Sequence, residues 1–148
     1  MDVDIRHLNK TCLDELAYIK LVKKYASKLK YNVLISFDSR IKDYGNYIFD
    51  SRKKIHVITI SPKICGFVGE LKLDDEAARY YFISTTLHEI CHARQRETLG
   101  KKEFQDLNDD ILDGEASIFY SRCEIEARTY ENGNLLKAME FYNSCAKL

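Results

Sequence analysis

Two histidines four residues apart, with a glutamate directly after the first, stand in the stretch TTLHEICHARQ, residues 85–95. On an α-helix, positions i and i+4 differ by about 40° around the axis and one turn along it. His88 and His92 therefore project from one face, and both imidazoles can reach a single Zn²⁺ ion at roughly 2.0–2.1 Å. Glu89 lies about 100° round from His88, beside such an ion, where it can hydrogen-bond a water that the metal activates. Zinc brings the pKa of that water toward about 7, and Glu89 takes its proton as attack on a carbonyl begins. The charge developing on the carbonyl oxygen is then stabilised by the metal.

A catalytic zinc ion usually takes three protein ligands. The chain has four histidines, His7, His56, His88 and His92, and none follows His92. The pattern HExxHxxGxxH is excluded, because position 95 is Gln and position 98 is Thr. A carboxylate on a later helix is the remaining usual choice. The stretch SRCEIEARTYENG, residues 121–133, supplies Glu124 and Glu126, with Glu131 nearer its end. Ala116, Phe119, Tyr120, Cys123, Ala127 and Tyr130 form one helical face there. Glu124 and Glu126 border it on opposite sides, roughly 160° apart, so only one of them can point at the metal. Periodicity alone barely separates the two.

HExxH followed by a downstream glutamate helix resembles the gluzincin class of zinc peptidases. CEIEARTY after HEICH is similar to the Glu-Ala-x-x-aromatic segment of minigluzincin and ImmA/IrrE-like metallopeptidases, and the hairpin ahead of the motif resembles SprT-like domains. Position by position, the resemblance implies His88, His92 and Glu126 as zinc ligands and Glu89 as general base. It covers roughly residues 45–131. The chain departs from SprT-like proteins in lacking a later histidine. It departs from the thermolysin-type pattern in carrying Tyr130, not Asp, four residues after Glu126. In zinc peptidases of this class an edge strand pairs with an extended substrate, a role that KIHVITIS, residues 54–61, could serve.

The motif needs elements to hold it. Asp74 and Asp75 open a long helical pattern that carries the motif and stops near Gly100. Ile83, Leu87 and Ile90, with Tyr80 at the edge, form its core stripe, opposite Tyr81, Ser84, Thr85, His92 and Gln95. Ahead of it, residues 11–30 read as an amphipathic helix capped by Thr11, with Leu13, Leu16, Ala17, Leu21, Tyr25 and Leu29 inward. Residues 31–38, 47–51 and 54–61 read as strands, the last two joined by a turn at 51–53. Residues 100–114 read as a loop or short helical turns. A helix over about 115–131 ends at NGN, and a short helix follows over 134–146. The expected fold is α+β and zincin-like. A small, mostly antiparallel sheet packs on the HExxH helix and a glutamate helix, all in one domain over 1–148.

Other residues have plainer readings. His56, alternating with apolar neighbours, reads as a structural histidine. Cys91 and Cys123 read as small packed groups. Tyr81, Tyr120 and Tyr130 are the candidate oxyanion partners, and Asp106, Asp109, Asp110 and Asp113 could orient the histidines.

Composition sets the bounds. Hydrophobic residues are 45% and charged residues 31%, a globular balance. The 23 basic and 23 acidic residues cancel, so nothing draws the chain toward nucleic acid. No stretch approaches a membrane span, and the first ten residues lack an apolar segment, so a cytoplasmic setting is expected. Five cysteines without a CxxC pair agree with that. The expected activity is zinc-dependent hydrolysis of a peptide or protein segment. The alternative is a zinc-binding interaction domain with little proteolysis.

Overall fold

The computed structural model describes residues 1–63, 74–109 and 122–148, with the backbone alone for 101–109. Strand β1 (Val3–Arg6) is followed by a 3-10 turn (Leu8–Lys10), helix α1 (Glu15–Tyr25), strands β2 (Asn32–Phe37), β3 (Gly45–Asp50) and β4 (Ile55–Ile60), and helices α2 (Asp75–Asp109) and α3 (Arg122–Ala146). The fold is α+β. No described helix is long and apolar enough to cross a membrane.

The sheet has the order β1-β2-β4-β3 and is mixed, which corrects the mostly antiparallel expectation. β1 and β2 pair in parallel across the α1 crossover, and β2 pairs in parallel with β4; only β3 and β4 are antiparallel. The reason lies in the pattern of the two inner strands. Val33, Ile35 and Phe37 of β2 and His56, Ile58 and Ile60 of β4 are all buried on one face. Setting them side by side makes a continuous core wall, and the more exposed β3 is displaced to the edge. The hairpin turn between β3 and β4 is held by the Asp50 carboxylate, which accepts from the N–H groups of Arg52 (3.0 Å) and Lys53 (3.1 Å).

Helix α1 begins later than Thr11. That hydroxyl instead donates to Leu8 O (2.7 Å) and accepts from Leu13 N (3.1 Å), closing the 3-10 turn. Asp14 is the cap, accepting from Ala17 N at 2.9 Å. Ala17, Tyr18, Leu21 and Val22 face inward, whereas Leu16 is exposed.

Helix α2 is capped by Asp74, which accepts from Ala77 N at 2.8 Å. Its Ile83, Leu87 and Ile90 are fully buried. Gly100 breaks the helix with φ 80°, a left-handed value that glycine adopts without a Cβ penalty, and helical turns resume to Asp109, the second of the two readings given for this stretch. Helix α3 runs through Asn132, Gly133 and Asn134 without stopping, which merges the two helices expected there. A mid-helix glycine costs about 1 kcal/mol against alanine. Burial of Leu135, Ala138 and Tyr142 beyond it offsets that cost. The Tyr142 hydroxyl also accepts from Asp14 N at 2.7 Å, tying the end of α3 to the start of α1.

Candidate metal centre

The buried stripe of α2 turns the opposite side of the helix toward α3 and β3. His88 and His92 emerge there one turn apart, with ring centroids 4.9 Å from each other. The carboxylate of Glu124 on α3 lies between them. His88 Nε2–H donates to Glu124 Oε2 at 3.0 Å, and His92 Nε2–H donates to Glu124 Oε1 at 2.8 Å. Ligand atoms of the three residues all lie within 4.8 Å of one another.

Glu124 rather than Glu126 completes this cluster. Glu126 is exposed and sits on the other flank of α3. The physical reason is which residues α3 buries. Cys123 and Ala127 form its packed ridge, so the flank holding Glu124 turns to α2 and the flank holding Glu126 turns away. A sequence signal did exist. Glu124 and Glu131 are seven residues apart, two turns, and so share one stripe. Glu126 has no such acidic companion.

Glu131 uses that position. Its carboxylate accepts from His88 Nδ1–H at 3.1 Å and from the Ser84 hydroxyl. His92 Nδ1–H donates to Gln95 Oε1 at 2.8 Å, and the Gln95 amide donates to Cys123 O at 3.0 Å. Each imidazole is therefore held by its Nδ1, and each Nε2 is aimed at the shared centre. These Nδ1–H bonds would hold each ring in place once its Nε2 gave up its proton to a metal. Two Nε2 atoms and one carboxylate oxygen, with the rings fixed from behind, form a donor set that suits zinc.

The electrostatics follow from these contacts. Burial alone would push His88 down, but hydrogen bonds to Glu124 and Glu131 outweigh it and lift its pKa to about 10. His92 is raised as well, burial being outweighed chiefly by the Glu124 hydrogen bond and the charge of Glu89. Burial would raise Glu124, yet the two imidazoliums hold it far below the usual carboxylate range.

Glu89 makes no comparable set of bonds. It is buried, and burial pushes its pKa up to about 7 against the pull of His92 and His88, with Glu124 and Asp43 adding repulsion. Gly45, the first residue of β3, lies against it. A Cβ built at Gly45 would stand 2.7 Å from Thr85 Cγ2 and 3.2 Å from Glu89 Oε1. Only glycine lets the edge strand come this close.

Tyr47, two residues along β3, stacks on His92 with a centroid distance of 6.5 Å and an interplanar angle of 28°. It is the tyrosine that sequence reasoning missed; alternation along the strand from Gly45 was its only signal. Tyr81 is exposed beyond one third, Tyr130 is covered by Arg94 at 4.8 Å, and Tyr120 lies outside the described residues. The Tyr47 hydroxyl is 2.8 Å from His56 Nδ1, and His56 Nε2 is 2.6 Å from Glu97. Glu97 also accepts from the N–H groups of Lys30 and Tyr31. His56 is thus a satisfied core histidine that supports Tyr47 from behind. Cys91 and Cys123 are buried beside the cluster, and burial raises both thiols. Asp110 and Asp113 lie outside the described residues, as do the side chains of Asp106 and Asp109. The orienting roles suggested for those aspartates are filled here by Glu131 and Gln95.

Compared with known proteins, the chain matches no family model, and no curated protein or solved structure matches it.

Proposed function

We propose that the protein is a zinc-dependent peptidase in which His88, His92 and Glu124 hold the ion and Glu89 is the general base. The observation that carries this reading is the Glu124 carboxylate between the two Nε2 atoms, with Glu89 buried beside them at a pKa near 7. A zinc ion held by these groups would acidify a water molecule and polarise the scissile carbonyl.

The chain's own residues supply the rest. Glu89 accepts the proton of the attacking water and returns it to the leaving amine, a task suited to a carboxyl that titrates near neutrality. Glu131 and Gln95 keep both imidazoles in register. The edge strand β3, pressed against Glu89 at Gly45, offers a backbone along which an extended peptide can add as a further strand.

Metal analysis and peptide hydrolysis of purified protein test the reading together. Wild type is expected to carry about one zinc per chain, Glu124→Ala to lose it and Glu126→Ala to keep it. Glu89→Gln should retain zinc while hydrolysis of a mixed peptide library falls about 10²–10⁴-fold. Undiminished cleavage by Glu89→Gln sinks the mechanism. A wild type that holds zinc yet cleaves nothing leaves the protein as a zinc-binding interaction domain.

A further inference from the structure

We propose that Arg96 selects an acidic side chain on the N-terminal side of the cleaved bond. This deepens the peptidase reading and rests on it. Arg96 lies one turn beyond His92 and two beyond His88, so it continues the row of residues that α2 presents to the site. Its guanidinium lies over the Phe49 ring, 4.6 Å from the centroid. Arg96 belongs to none of the ion pairs found among the described residues. The neighbouring Glu97 is engaged by His56 and by the backbone of Lys30 and Tyr31.

The strand and the helix advance together past the metal cluster. Gly45 meets Thr85 and Glu89, Tyr47 meets His92, and Phe49 meets Arg96. Two strand residues rise about 6.6 Å and one helical turn about 5.4 Å, so the two registers stay close over this distance. Among the described residues β3 is the outer strand of the sheet, next to β4. A peptide residue set directly opposite a strand residue projects on the same face. The residue opposite Phe49 therefore sends its side chain toward the guanidinium that covers the Phe49 ring.

A planar guanidinium already laid on an aromatic face loses little freedom when it takes a carboxylate in a bidentate pair. Around it, Glu89, Glu124 and Glu131 make the metal cluster acidic, so Arg96 marks one end of the cleft as a distinct cationic position. In antiparallel addition, the better of the two ladders, the peptide's N-terminus points toward Phe49. The acidic residue then lies roughly two or three positions before the cleaved bond, given the strand rise.

Matched peptides carrying Glu or Gln at each position before the bond decide the matter. Wild type should cleave the Glu peptide about 10–100-fold better in kcat/KM at that position, the range of one charged hydrogen-bonded pair. Arg96→Gln should bring the ratio of Glu-peptide to Gln-peptide cleavage to about one, Arg96→Lys should keep part of the preference, and Arg96→Glu should favour Lys at the same place. Binding of both uncleaved peptides to the Glu89→Gln variant reads the same contact without turnover and should show the same ratio. Equal cleavage of the two peptides by wild type overturns the Arg96 assignment and leaves the peptidase reading intact, as does a preference that survives in Arg96→Gln. If zinc-loaded wild type cleaves no peptide at all, both readings fall.

Discussion

Replacing Gly45 by alanine tests the closest approach in the site. The added Cβ would stand 2.7 Å from Thr85 Cγ2, 3.2 Å from Glu89 Oε1 and 3.4 Å from Glu89 Cγ. Comfortable carbon–carbon contact begins at about 3.5 Å, so the first clash needs roughly 0.8 Å of relief. Thr85 is β-branched and sits inside a helix, where its χ1 has few alternatives. The strand must therefore retreat, against its ladder to β4. Overpacking of this kind costs typically 1–3 kcal/mol. For a chain of this size that is about 2–4 °C in Tm per kcal/mol. Thr85→Ser removes the offending methyl, and alone it should cost less than about 1 kcal/mol, near the value of one buried methyl group. A double-mutant cycle by urea unfolding is the assay. Gly45→Ala is expected to lose 1–3 kcal/mol, and Thr85→Ser should restore at least half of that in the Gly45→Ala background, a coupling of about 1 kcal/mol. Additive losses, or a Gly45→Ala protein as stable as wild type, would refute the idea that β3 and α2 are in contact at this point.

Three further outcomes follow from the same geometry. Glu131→Gln weakens the acceptor for His88 Nδ1, so zinc affinity should fall about 10–100-fold in competition titrations, while Glu126→Gln should leave it unchanged. Because His88 titrates near 10 and His92 is raised from its ordinary value, zinc must displace the His88 proton near neutral pH. Calorimetry in buffers of different ionisation enthalpy should then find at least one proton released per ion, and none released would contradict the hydrogen-bonded arrangement. Glu89 has a folded pKa of about 7 against an ordinary 4.5, so the folded state binds the extra proton and stability falls as pH rises from about 4.5 to 7. Glu89→Gln should accordingly be more stable than wild type above pH 7, by up to roughly 3 kcal/mol, with the advantage vanishing below pH 4.5.

Local pattern revealed the parts of this protein that are local. The HExxH helix, its buried stripe of Ile83, Leu87 and Ile90, and the β3–β4 hairpin are set by periodicities of 3.6 and 2 and by turn residues. Sheet order is different. Nothing within residues 47–61 says that β4 pairs with β2 on its far side, because that choice depends on matching two buried faces 20 or more residues apart. β1 escaped notice because it has only four residues, two of them charged, although Val3 and Ile5 do alternate toward the core. The NGN segment carried a stop signal that tertiary packing overrode; Asn134 even donates to Tyr130 O at 2.8 Å, spending its side chain inside the helix. The choice between Glu124 and Glu126 turned on rotation of α3 about its own axis. Composition of the helix left that rotation open, and the resemblance to known peptidases favoured the residue that proves exposed.

The energetics of Glu89 bear on what the site is for. A carboxyl held near pKa 7 by burial costs fold stability at neutral pH, roughly 3 kcal/mol, and no hydrogen-bonded partner among the described residues offsets this. Glu124 is the opposite case, a carboxylate favoured in its charged form by two imidazoles. If the cluster served stability alone, Glu124 and Glu131 around His88 would suffice, and a glutamine or leucine at position 89 would fold better. The same holds for Gly45, which gives up strand propensity so that β3 can approach within contact of Glu89. Two unfavourable choices, on elements 40 or more residues apart, converge on one carboxyl oxygen and leave it poised to exchange a proton near neutrality. Packing against the Thr85 methyl accounts for part of the need for glycine at 45, and the proton transfer proposed for Glu89 would account for a buried carboxyl at that point.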